Sequence, residues 1–248
     1  MRSDPADDYD FYPCLVDGAP ASIYVNLRFD GAPIADATTR YEVLIRLREG
    51  GAHGIGREDE AAELGHVEEA IIERADAHGL VYVGRLRHRG VWETTFYGPA
   101  GHEDEIRAAA EAHVEAARVR VTSEADAEWT YYRELLLPDA ERRQWMNDRR
   151  MVDVLKEQGD VLRARRRVDH ELTFTTDAQR DRFVTAVASE GFTVERLAEA
   201  DGAFVVTVSR ADPIELEHIH DVVMVLVDAA SARGGTYAGW KTSIESGS

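Results

Sequence analysis

The chain has 248 residues, with 29 Lys or Arg against 47 Asp or Glu for a net charge of −18, which excludes a general binder of nucleic acid or anionic membrane. Cys14 is its single cysteine, which excludes an intramolecular disulfide and a Cys-rich zinc motif and points to a reducing, cytoplasmic setting. The length suits two domains of about 100 residues each, the 44% apolar content allows each a core, and neither an apolar export segment at the start nor a membrane-spanning run of about 18 apolar residues is present.

In chain order, residues 22–29 alternate so that Ile23, Val25, Leu27 and Phe29 share one face, as in a half-buried strand. Residues 41–48 repeat the pattern through Val43, Ile45 and Leu47, and a glycine-rich turn follows at 50–56. From 57 to 78 the positions Ala61, Leu64, Val67, Ile71 and Ala75 recur at helical spacing, leaving Glu60, Glu63, Glu69 and Glu73 toward water. Residues 81–86 and 91–97 read as a hairpin, 103–117 as a second helix, and 118–122 as a closing strand. Residues 126–159 read as two helices broken at Pro138, with Trp129, Tyr132, Leu136, Trp145, Val152 and Leu155 for packing.

The last third repeats the order: strand 168–175, helix 178–190, strands 192–197 and 203–209, helix 213–233 and strand 236–242. Pro213 suits the first turn of that last helix and Gly234-Gly235 its end. The expected fold class is therefore α+β, with two ferredoxin-like βαββαβ sandwich domains, at 1–122 and 163–248, joined by a helical connector at 123–162.

Gly51-Ala52-His53-Gly54-Ile55-Gly56 lies where phosphate loops sit, yet it lacks their spacing, and Glu58-Asp59-Glu60 behind it would repel phosphate. His218 and His220 point to opposite sides of a helix, and His170 leaves the strand face shared by Asp169 and Glu171, so neither group makes a metal or acid–base site. No Gly-x-Ser-x-Gly elbow occurs, and Cys14 reads as a small buried hydrophobe. The basic run Arg163-Ala164-Arg165-Arg166-Arg167 lacks the aromatics of an RNA-binding sheet, and pairing with acidic neighbours explains it better. No catalytic residue, metal or cofactor is expected.

Asn147-Asp148-Arg149-Arg150, Gly159-Asp160-Val161-Leu162, Arg167-Val168-Asp169-His170, Gly191-Phe192 and Tyr237-Ala238-Gly239-Trp240-Lys241-Thr242 together resemble the regulator of ribonuclease E activity B family over residues 147–243. Tyr9-Asp10-Phe11-Tyr12, the strand from Pro20 through Leu27 and Glu128-Trp129 are similar to an uncharacterised bacterial domain often fused ahead of it. The resemblance implies a non-catalytic inhibitor that binds an endoribonuclease, with an Arg-rich region, outside its active site. Glu60, Glu63, Glu69 and Glu73, with Glu215, Glu217 and Asp221, are then the candidate contacts to a basic partner. A second reading is an enzyme or small-ligand protein with a site between the domains, lined by His170, Tyr237 or Trp240. A third is a homodimer paired edge to edge.

Overall fold

A computed structural model describes residues 6–31, 33–200 and 202–245. The chain forms two compact units, Met1–Asp139 and Ala140–Ser248, each with its own sheet. The expected connector is thus shared: its first part packs within the first unit and its second is a helix of the second.

The first unit opens with strands β1 (Tyr9–Val16) and β2 (Ala19–Asn26), joined through Asp17 and Gly18, both left-handed. The expected strand at 22–29 stops at Asn26. There the Asn26 side chain accepts from Arg28 N and the chain turns through a short 3-10 helix, Leu27–Phe29. Strands β3 (Thr39–Arg46), β4 (Val81–His88), β5 (Val91–Gly98) and β6 (Val119–Ala125) complete an antiparallel sheet in the order β1-β2-β4-β5-β3-β6. Helices α1 (Glu58–Asp76) and α2 (Glu103–Glu111) cover one face, α2 ending short of the expected 117. Tyr41, Val43 and Ile45 of β3 form a core there with Leu64, Ile71 and Ala75 of α1 and Ile106 and Ala110 of α2.

The opposite face is covered by the segment after β6. Trp129, held at φ 54, stacks on Tyr97 with centroids 4.2 Å apart and donates its indole N–H to Ala37 O at 2.8 Å. A π-helical turn, Tyr132–Leu136, follows. Tyr132 there donates to Asn26 O at 2.6 Å, and Leu136 O accepts from Tyr12 at 2.9 Å. These bonds satisfy polar atoms that burial would otherwise leave costly.

In the second unit, α3 (Ala140–Glu157) precedes β7 (Arg166–Phe174), α4 (Asp177–Val187), β8 (Thr193–Ala200), β9 (Ala203–Asp212), α5 (Leu216–Ser231) and β10 (Gly235–Thr242). A complete capping box between Thr176 and Gln179 starts α4. The antiparallel sheet runs β10-β7-β9-β8. Its β7 residues alternate: Val168, His170, Leu172 and Phe174 are buried, while Arg167 and Glu171 are exposed. Val152 and Leu155 of α3, Phe183 and Val187 of α4, and Ile219, Val223 and Leu226 of α5 join the same core. The sequence β-α-β-β-α-β appears in both units, and β6-β3-β5-β4 in the first repeats the order β10-β7-β9-β8 in the second.

Candidate functional site

The acidic stripe expected on α1 is only partly a surface. Glu60 is 6% exposed; its carboxylate accepts the backbone N–H of Arg48 at 2.9 Å and Arg118 Nη2 at 2.5 Å. It closes the loop after β3 instead of facing a partner, because the helix start lies against that loop. Glu63, Glu69 and Glu73 are exposed, Glu63 pairing with Arg48 at 2.7 Å.

Glu73 also lines a groove of about 820 Å³ within the first unit. The apolar part of its wall comes from Tyr9, Phe29, Ile72, Leu80 and Tyr82; the carboxylates Glu73 and Asp76 stand around it, with Asp7, which pairs with Arg28 of the same wall at 3.4 Å. Tyr9 stacks on Tyr24 and Tyr82 at 5.3 and 5.8 Å. Burial and the Asp7 charge push the Tyr9 hydroxyl far above its ordinary value, so it stays neutral. The groove thus sets an apolar, aromatic wall beside Glu73 and Asp76.

Behind the groove Glu68, 4% exposed, receives Tyr82 OH at 2.5 Å, Arg85 Nη1 at 2.9 Å and Trp92 Nε1 at 2.8 Å. The Arg85 guanidinium lies 4.3 Å from the Trp92 ring centre and 5.1 Å from that of Tyr24. Sequence periodicity passes over Glu68, since a glutamate among glutamates on an amphipathic helix carries no signal of burial. On the other face of the sheet, burial holds the Glu93 carboxyl up at about 7, against the opposing effect of a hydrogen bond from Tyr131.

In the second unit Glu217 and Asp221 are exposed on α5, and Glu215, just ahead of it, pairs with Arg163 at 2.9 Å. His170, Tyr237 and Trp240 do come together, as parts of the packing of this unit. His170 is fully buried, sits opposite Trp240 across β7 and β10, and lies 2.8 Å by Nδ1 from Tyr237 Oη. Burial pushes its imidazole down to about 4. Trp240 donates to Asp148 Oδ1 at 3.0 Å, and Asp148, 1% exposed, also takes Gln144 Nε2 and faces His220 Nδ1, each at 2.9 Å. Asp160 and Arg166 form a buried pair at 2.6 Å. Arg167 pairs with Asp169 at 2.6 Å and Glu195 at 3.1 Å, so much of the basic run is spent internally.

Asp148, Asp160, His170 and Trp240, all within the motifs that carry the family resemblance, therefore tie α3 and the strands of the second unit together. No nucleophile–base–orienter constellation forms around any of them among the described residues. What the geometry defines is a protein of two antiparallel α+β units offering acidic helix surfaces and an acid-lined groove. The chain belongs to the family of unknown function DUF695, which matches residues 7–137. Residues 145–242 match the regulator of ribonuclease activity B, so both parts of the resemblance read from the sequence hold. No curated protein matches the chain. Among solved structures, an unknown protein from Galdieria sulphuraria is 9% identical, with 81% of this chain and 96% of that one covered at a TM-score of 0.22. A putative glycine cleavage system transcriptional repressor is 6% identical, with 83% and 98% covered at a TM-score of 0.26. Among the described residues no helix is long and apolar enough to cross a membrane.

Proposed function

We propose that the chain is a non-catalytic cytoplasmic regulator that binds a basic protein partner, an endoribonuclease with an Arg-rich region, and lowers its activity. The observation that carries this reading is the match of residues 145–242 to the regulator of ribonuclease activity B. The strand order common to the two units supports reading each as a ferredoxin-like sandwich, a scaffold that presents helix faces and sheet faces to partners. The groove at Glu73 supports a cationic ligand: an arginine side chain lies along its apolar wall while Glu73 and Asp76 neutralise it. Glu69 on α1 and Glu217 and Asp221 on α5 supply further negative surface.

The test is an RNA-cleavage assay with such a nuclease and increasing amounts of the full chain, paired with co-elution at low and high salt. Inhibition and co-elution are expected at low salt. Both fade as salt rises, since exposed charges are screened beyond roughly 8–10 Å at physiological ionic strength. Unaltered cleavage at saturating protein overturns the reading.

A further inference from the structure

We infer that His78, His102 and Glu105 form a binding site for one divalent d-block cation, Zn²⁺ first among them, at the junction of α1 and α2. His78 lies in the turn that ends α1, where its N–H donates to Ala75 O at 3.0 Å. His102 is the residue before the first turn of α2, and its side chain makes no capping bond. Its backbone N–H meets Tyr41 Oη at 3.4 Å, which ties this corner to β3. Glu105 projects from the first turn of α2, its carboxylate 3.9 Å from His102 Nδ1.

The donor atoms of the three residues lie within 4.8 Å of one another, and the two imidazole rings stand 5.2 Å apart at 46°. His78 Nε2 and His102 Nδ1 are both buried atoms without a hydrogen-bond partner. A buried ring nitrogen that bonds to nothing is costly, and two of them turned toward one carboxylate ask for a shared electrophile. Zn²⁺ fits that demand: it takes imidazole nitrogen at about 2.0–2.1 Å and carboxylate oxygen at about 2.0–2.2 Å in tetrahedral geometry. Those bond lengths put ligand atoms roughly 3.3–3.6 Å apart, a contraction that side-chain rotation supplies. With three protein ligands the fourth position is left for water. The two helices would then be clamped where the groove-lining end of α1 meets the start of α2. In sequence the histidines lie 24 residues apart with no ligand spacing between them, so only the fold brings them together.

The experiment titrates the untagged full chain, stripped with chelator, with Zn²⁺ by calorimetry and with Co²⁺ by visible absorption. One equivalent is expected, with tetrahedral Co²⁺ bands that Zn²⁺ abolishes. His78→Asn and His102→Asn should each weaken binding at least tenfold, Glu105→Gln several-fold, and the exposed-site control His66→Asn not at all. Glu105 is part-exposed, so its variant remains informative if a histidine variant misfolds. Zn²⁺ shifting the His78 and His102 ring resonances at substoichiometric amounts, before those of the other histidines, gives a second readout on the unmodified chain. Absence of binding, or binding that His66→Asn removes and Glu105→Gln and the ring resonances do not reflect, overturns the proposal.

Discussion

Within each unit a single buried carboxylate gathers several donors, Glu68 in the first and Asp148 in the second. Asp148 gathers Trp240 Nε1, Gln144 Nε2 and His220 Nδ1 around one group that is 1% exposed. Asp148→Ala removes the acceptor and strands those partners in the core, so a loss of about 3 kcal/mol is expected, measurable by urea unfolding; Asp148→Asn, which keeps one acceptor oxygen, should lose less. His170 gives the second unit a pH dependence of predictable sign. Its imidazole titrates at about 4 when folded against 6.5 ordinarily, so between those values the unfolded chain takes up a proton that the folded one refuses. Its contribution is present above 6.5 and is lost as pH falls toward 4, on the order of 3 kcal/mol in full. Unfolding followed across that range should show a shallower acid-side slope in His170→Asn than in the wild-type protein, whatever the variant's absolute stability.

At the scale of elements, the hairpin β1–β2 is what the first unit adds to the βαββαβ plan, and its attachment depends on one close approach. A Cβ on Gly84 would lie 2.6 Å from Tyr24 O and 3.2 Å from Val25 Cα, both backbone atoms of β2 that cannot give way. The β2–β4 register ends at Gly84, and β4 carries its irregularity between Tyr82 and Gly84. Gly84→Ala should therefore part β2 from β4, with a loss of roughly 2 kcal/mol, and should speed amide exchange in β1 and β2 more than in β3 and β6. Period-two and helical patterning made the strands and helices legible in the sequence, because Val43, Ile45 and Ile71 are buried for the reason the pattern states. What stayed hidden are the contacts between elements. Trp129, Tyr132 and Leu136 read as connector packing, yet they close the second face of the first sheet, and periodicity within one segment cannot say which sheet it will cover. The site suffered in the same way: Glu60 and Glu68 follow the acidic pattern of α1 but are drawn inward by Arg118 and by Tyr82, Arg85 and Trp92, partners distant in sequence.

At the scale of the whole molecule the charge is unevenly divided. Residues 1–139 hold 28 acidic against 14 basic residues, and residues 140–248 hold 19 against 15, so the net charges are −14 and −4. The unit that matches the ribonuclease regulator is the nearly balanced one, and the DUF695 unit carries most of the field. Long-range attraction governs how fast a basic partner arrives, whereas desolvated contacts govern how long it stays. On the proposed reading, the first unit supplies most of the steering, while its groove and the second unit supply the contacts that hold. Neutralising the exposed Glu63 and Glu69, which lie outside the groove, should slow association with an Arg-rich partner several-fold and flatten its salt dependence, with dissociation nearly unchanged. Neutralising Glu217 and Asp221 should instead raise the dissociation rate and leave association close to wild type. Surface plasmon resonance at several salt concentrations separates the two effects, and equal changes in both rates from either set would argue that one continuous surface does both jobs.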